Sequence, residues 1–391
     1  MTAIGVIDSP TQLLAGGRVV TPGGVLTDGW VQVSDGRIAE VGPSRPDVDA
    51  PIVDLAGAWL LPGYIDLHMH GGGGHSIADS FEAMEQAVAF HRSHGTTSTL
   101  VSLMTGPEEA LVEQLRWAAE LVRQGPSPGG HVLGSHLEGP FLSPRRRGAQ
   151  NASYMVAPEP ALLERLRSAA GDTLRMVTLA PELEGALPLI ETLSADGVIV
   201  AMGHSDATYE QSQAGIRAGA SHATHLFNAM RPLHHREPGL AGAALEADLT
   251  CELINDGRHL HPTIVRLVFE LVSSPVLVTD AIDATGAGDG HFELGGQEVH
   301  VHSGEARLAA TGSLAGSTLT MDQALRFGVK ASGLSVEQAS AAASATPARV
   351  LGLDGELGSI APGRRAEFVV LDDELEVAGV MAGGAWIGSA A

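Results

Sequence analysis

The chain has 391 residues, a formal net charge of −23 and an apolar content of 44%. That length suits one α/β barrel of roughly 250 residues with a smaller module beside it, and the apolar fraction is ample for a core. The acidic balance argues against nucleic acid, which is bound by Lys and Arg neutralising phosphates, and against anionic membrane surfaces; the single cysteine, Cys251, excludes an intrachain disulfide.

The N-terminal MTAIGVIDSPTQLLAGGRVV lacks a basic region followed by an apolar core, so no secretory signal is expected. No window approaches the roughly 20 uncharged apolar residues of a membrane span. These features predict a cytoplasmic protein. LLAGGRVVTPGG, WVQVSDGRIAEVG and IVDLAGAWLLPG alternate apolar runs with Gly, Asp and Pro, as short strands and turns do. After Gly63 the rhythm changes. Amphipathic helices are expected over 80–95, 107–125, 160–171, 186–197, 209–220 and 261–274. Each is followed by an expected strand: TTSTLVSL, HVLGSHLEG, LRMVTLAPE, VIVAMGH, SHATHLF and PVLVTD. QGPSPGG, 124–130, reads as a surface loop.

That alternation predicts a (β/α)8 TIM-like barrel over residues 63–354, ending in late helices over 321–333 and 335–352. From Leu357 the pattern returns to strands. Residues 1–62 and 355–391 are therefore expected to form one small β-sandwich.

Strand ends carry the chemistry. His68 and His70 lie two apart after an apolar strand, so both face one side and can grip one ion. Glu138 ends VLGSHLE, His204 ends VIVAMGH, His225 lies in HATHLFNAM and Asp280 closes PVLVTD. In a parallel barrel the C-terminal strand ends open into one mouth, where these groups would converge. One carboxylate and two imidazoles plus an open position suit catalytic zinc, and the same donors suit iron. Asp280 has two readings, a carboxylate that accepts a proton from an activated water or the N-cap of a helix before AIDATG. His136 shares the face of Glu138 and reads either as a partner of the ligands or as a plain core histidine. Arg145, Arg146 and Arg147 read as a solvated loop or as a cationic lid. Arg236 is the better phosphate candidate, since guanidinium binds phosphate through paired donors.

LPGYIDLHMHGGGG resembles the first barrel strand of the amidohydrolase superfamily. HLEGPFL, MGHSDA, THLFNAM, REPGL and VTDAIDATG are together similar to its N-acetylglucosamine-6-phosphate deacetylase family, and GSIAPGRRAEFVVLD to the superfamily's sandwich tail. The resemblance implies that Glu138, His204 and His225 are the principal metal ligands and Asp280 the catalytic acid and base. It implies that His68 and His70 form a second metal position, so that one or two divalent ions, Zn or Fe, are bound per subunit. It further implies that Ala149, Asn228, Ala229, Arg236, His259, Leu314, Ala315 and Gly316 contact a phosphorylated amino sugar, and it suggests a homodimer. Gln150 departs from the family, many members of which have histidine there; glutamine can donate a hydrogen bond but cannot take on a proton. Lys330, the single lysine, falls inside a helical run, so a lysine-bridged metal pair is not expected and Glu138 is left as the anionic ligand. The expected reaction is release of acetate from N-acetylglucosamine 6-phosphate. The alternatives are another N-acyl substrate such as an N-acyl amino acid, and a non-catalytic scaffold.

Overall fold

Eight short runs, mostly of aliphatic and β-branched residues, line up in chain order as one parallel sheet: Tyr64–Asp66, Thr96–Met104, Val132–Glu138, Leu174–Leu179, Ile199–Met202, His222–Ala223, Thr250–Ile254 and Pro275–Val278. They are barrel strands one to eight below. The computed structural model describes residues 9–44, 46, 50–126 and 130–387. Strands one and eight close the ring just past their ends. There the His70 amide donates to the Ala281 carbonyl and the Asp280 amide to the His68 carbonyl, each at 2.8 Å. Met69 and Ala281 form a parallel bridge at the same seam.

Helices pack outside the ring by their apolar stripes. In Glu108–Gln124 the buried residues are Leu111, Leu115, Ala118 and Leu121, a three-to-four-residue spacing that lays one face on the sheet. Gly125, at φ 70°, ends this helix where a side chain would be strained. Tyr209–Ala218 begins with a capping box in which Thr208 and Gln211 satisfy each other's backbone amides.

The terminal segments build the second body. Thr11–Thr21, Gly24–Ser34, Arg37–Gly42, Ile52–Asp54 and Trp59–Pro62 join Phe368–Leu371, Val377–Ala382 and Ala385–Ile387 in one eight-stranded sheet. Phe368 pairs with Pro62 and Val370 with Leu60, so the two ends of the chain meet strand to strand. Arg37 bridges Arg365, bringing the edge strand back over a core of Leu14, Val31, Ile38, Leu60, Phe368 and Met381. Residues 1–8, 45, 47–49 and 388–391 of the expected module, and 127–129 of the expected loop, lie outside the described residues.

Four features differ from the sequence expectation. Helix Gly239–Glu246 and barrel strand seven, Thr250–Ile254, lie where the pattern passes from SHATHLF directly to HPTIVRLVFELVSS. The helix is built of small residues and the strand is interrupted by Glu252, so neither shows a clean apolar period. A three-stranded antiparallel sheet, Gly290–Leu294, Gln297–His302 and Glu305–Leu308, follows strand eight. Its inner residues Leu294, Val299, Val301 and Leu308 pack on Ala149, Ile282 and Ala315 at the barrel mouth. The late run expected over 335–352 is two helices, Val336–Ala343 and Ala345–Val350, broken at Ser344 (φ −143°, ψ −67°).

Candidate metal centre and active site

The chain turns sharply where it leaves the barrel strands. His204 (φ 45°), His225 (φ 29°), Ala229 (φ 48°) and Asp280 (φ 50°) all occupy the left-handed region, which costs a residue with a Cβ about 1–3 kcal/mol. Backbone hydrogen bonds hold the turns. Ser143 N donates to His204 O at 2.9 Å and Ser317 N to Asp280 O at 2.7 Å.

Those turns bring donors hundreds of residues apart into one buried cluster. Glu138 Oε1 lies 2.9 Å from His204 Nε2 and 3.2 Å from His225 Nε2. His204 Nε2 and His225 Nε2 are 3.0 Å apart, as are His70 Nε2 and Asp280 Oδ1. His68 Nε2 is 3.1 Å from His70 Nε2 and 3.6 Å from both Glu138 Oε1 and Asp280 Oδ1.

The far sides of these rings fix where the protons are. His70 Nδ1 donates to Ser102 O at 2.6 Å, and His204 Nδ1 to Arg146 O at 3.0 Å; a carbonyl can only accept. His68 Nδ1 donates to Glu252 Oε2 at 3.0 Å. With Nδ1 committed as donor, the Nε2 atoms face one another and a carboxylate, and each offers its lone pair wherever that nitrogen carries no proton. Lone pairs facing at such distances repel unless a cation lies among them, so the donor set fits a metal. Two groups of three could each hold an ion, His68–His70–Glu138 and Glu138–His204–His225, with Glu138 common to both.

The field has the same sense. Burial alone would raise the Glu138 carboxyl, but His68 and His204 outweigh it and hold the group well below the usual carboxylate range. Asp280 is likewise lowered against its burial by His68 and His70. Burial pushes the His68 imidazole down, yet Glu138, Glu252 and Asp280 together raise it well above its ordinary value. The cavity calls for positive charge, which a proton or a divalent ion can supply.

An open cleft adjoins the cluster. His70, Glu138, His204, His225 and Asp280 line it together with Ala149, Asn228, Ala229, His259, Leu314 and Gly316. Buried Ala315 turns instead into the apolar layer beneath the three-stranded sheet. Arg236 is exposed on the 231–238 loop, outside the cleft lining, with its guanidinium 2.8 Å from His235 Nε2. His259 is fixed by Asp256, whose Oδ2 lies 2.7 Å from His259 Nδ1.

The other candidates separate clearly. Lys330 pairs with Glu374 at 2.7 Å on the surface, far from a bridging role. Arg146 and Arg145 bind Asp206, at 2.8 and 3.4 Å, while Arg147 is exposed. His136 is buried between Ser102 Oγ (2.9 Å) and Thr178 Oγ1 (2.8 Å), and burial pushes its pKa down to about 3, so it stays neutral below the cluster. Cys251 is a fully buried apolar contact whose thiol burial raises to about 12. A third grouping, His291, Glu298 and His300, is exposed on the inserted sheet and lines no part of the cleft.

Two residues gain importance from the geometry. Gln150 Nε2 donates to Glu138 Oε2 at 2.5 Å while its Oε1 accepts from the Thr105 amide at 2.9 Å. Both ends of its amide are committed, which steers the free Glu138 oxygen toward His204 and His225. Glu252 was hidden in the unanticipated seventh strand. The only sequence signal was a carboxylate two residues before Ile254, which lines the cleft, in an otherwise apolar run.

Comparison with known proteins agrees with this arrangement. Residues 59–387 match the model of the amidohydrolase family. The chain is 41% identical over 370 residues to N-acetylgalactosamine-6-phosphate deacetylase of Escherichia coli O157:H7, covering 94% of this chain and 97% of that one. It is 38% identical over 373 residues to N-acetylglucosamine-6-phosphate deacetylase of Bacillus subtilis, covering 92% of each. A solved variant of the Mycobacterium smegmatis N-acetyl-D-glucosamine-6-phosphate deacetylase, in complex with N-acetyl-D-glucosamine-6-phosphate, superposes with a TM-score of 0.92 at 41% identity. That match covers 97% of this chain and all of the other. Molinate hydrolase, at 18% identity and a TM-score of 0.65, shares the fold alone.

Proposed function

The chain belongs to the amidohydrolase family and, within it, to the deacetylases of amino-sugar 6-phosphates; on that premise we propose that it hydrolyses N-acetylglucosamine 6-phosphate to acetate and glucosamine 6-phosphate. The observation that carries the reading is the gathering of lone-pair donors around Glu138 with Asp280 Oδ1 3.0 Å from His70 Nε2, all opening on one cleft.

Glu138, His204 and His225 would hold a divalent cation, zinc or iron, with His68 and His70 completing a second position. Such a cation supplies Lewis-acid polarisation of the acetamide carbonyl, stabilisation of the developing oxyanion and acidification of water. Asp280 accepts the proton of the attacking water and returns it to the departing amine as the C–N bond breaks. The lowered pKa direction of Asp280 suits the first of these steps. Gln150 keeps Glu138 oriented. Asn228, Ala229 and Ala149 hold the sugar, His259 contacts the substrate or its phosphate, and Leu314 and Gly316 complete the lining.

Arg236 faces solvent on a loop that also carries Leu233, which is 52% exposed. This placement supports a homodimer in which Arg236 reaches the phosphate bound by the neighbouring subunit. Residues 63–354 are assigned as the catalytic barrel, and 1–62 with 355–391 as the supporting module. The single cysteine supports a cytoplasmic setting. Among the described residues, no helix is long and apolar enough to cross a membrane.

The test is a substrate panel. Acetate release should be fastest on N-acetylglucosamine 6-phosphate, slower on its galactosamine epimer and negligible on N-acetyl amino acids. A preference for the epimer would move the assignment to the activity named for the E. coli relative, and a preference for the amino acids would reject it.

A further inference from the structure

Glu252 is a fully buried carboxylate in strand seven, two residues below the cleft-lining Ile254 and directed into the barrel. Burying a carboxylate costs several kcal/mol unless its oxygens are fully used, and an apolar side chain would fill the space more cheaply. Its oxygens are fully used. Oε2 accepts from His68 Nδ1 at 3.0 Å and from the backbone amide of His225, also at 3.0 Å. Oε1 accepts from Nε2 of the buried His222 at 3.1 Å. The Glu252 carbonyl also accepts from Leu226 N at 2.8 Å.

One oxygen thus touches both groups of donors. It selects the His68 tautomer whose Nε2 lone pair faces His70 and Glu138, and it pins the left-handed turn that aims His225 at Glu138. The two effects differ in redundancy. His225 is also held through its neighbours, since the amides of Leu226 and Asn228 are bonded at 2.8 and 2.9 Å. Among the described residues, the Nδ1 of His68 has no acceptor other than Glu252.

We infer that Glu252 is the positioning residue of the second ion site: it makes His68 a ligand, and without it this chain holds one ion rather than two. The inference rests on the metal-centre reading above, and its test reads ion binding without substrate, so it can fail while acetate release persists. In Glu252→Gln one amide oxygen still meets His68, but the charge that holds the imidazole tautomer is gone.

The full-length protein is stripped with chelator and titrated with Zn²⁺ against a competing chromophore, with ions counted by elemental analysis. Wild type should take up two ions per subunit. Glu252→Gln should bind the second ion roughly 10–100-fold more weakly, with the first affected less than about threefold. His68→Ala should remove the second ion outright, and adding Glu252→Gln to it should change nothing further. In zinc-loaded wild type, ¹⁵N-histidine NMR should show His68 protonated at Nδ1 with no proton at Nε2, a readout that needs no variant to fold. Two ions held by Glu252→Gln with wild-type affinity, equal weakening of both ions, a one-ion wild type, or an unprotonated His68 Nδ1 would each overturn the inference.

Discussion

Replacing Asp280 by Asn removes a proton acceptor and its charge while leaving the backbone around it in place. The Asp280 backbone is held from both sides, its amide on His68 O at 2.8 Å and its carbonyl on Ser317 N at 2.7 Å, and neither bond involves the side chain. Its φ of 50° is one that Asn adopts readily, whereas Ala would pay about 1–2 kcal/mol there. Asn is therefore the clean substitution. One positioned acid or base contributes roughly 10²–10⁴-fold, and here the same carboxylate serves both water attack and amine departure. The upper end, about 10⁴-fold in kcat, corresponds to about 5.5 kcal/mol of barrier. The assay is acetate release by the metal-loaded variant, with ion content and KM measured in parallel. Wild-type ion content, a KM within a few-fold and the large loss of kcat are expected. A variant that keeps its ions and turns over within tenfold of wild type would refute the role given to Asp280.

Other consequences are measurable. Gln150→Leu strips the hydrogen bond from Glu138 Oε2 and leaves the Thr105 amide unpaired, so denaturant unfolding should show a loss of about 1–3 kcal/mol; an unchanged midpoint would contradict the pairing. Arg236→Ala should raise KM roughly tenfold or more for the 6-phosphorylated sugar and leave the unphosphorylated sugar unaffected; equal effects on both would remove Arg236 from phosphate binding. His91 is buried with Nε2 donating to Gly71 O at 2.8 Å, and burial pushes its pKa down from 6.5 to about 4. Because the folded value is the lower one, the unfolded chain binds the proton first, and stability falls as pH drops from about 6.5 towards 4. The loss approaches about 3 kcal/mol at the 1.36 kcal/mol worth of each pKa unit. Thermal melts of His91→Gln should be flatter than wild type over that window, and parallel curves would reject the assignment.

The barrel was legible because most of its strands are short runs rich in aliphatic and β-branched residues separated by amphipathic helices, as in TTSTLVSL followed by PEEALVEQLRWAAELVRQG. The seventh strand was not, since its inward position is spent on Glu252, a residue placed for His68 rather than for the core. The inserted sheet carries only a short local signal: HFEL, QEVHVH and EARL alternate with period two between the GG and SG turns. Donor types at strand ends could be read from sequence, because parallel strands share a mouth. The left-handed turns at His204, His225 and Asp280 could not, since no glycine announces them and distant backbone bonds hold them. The separation of Arg236 from the cleft was equally invisible, because local sequence says nothing about where a loop points.

The central claim is that a cation held at Glu138, His204 and His225 is indispensable to cleavage of the acetamide. It is tested most directly by following acetate release from N-acetylglucosamine 6-phosphate with protein stripped of metal to a level confirmed by elemental analysis, then restored with Zn²⁺ or Fe²⁺. Turnover should vanish in the stripped protein and return in proportion to ions rebound. Full activity from protein shown to contain no metal would contradict the account.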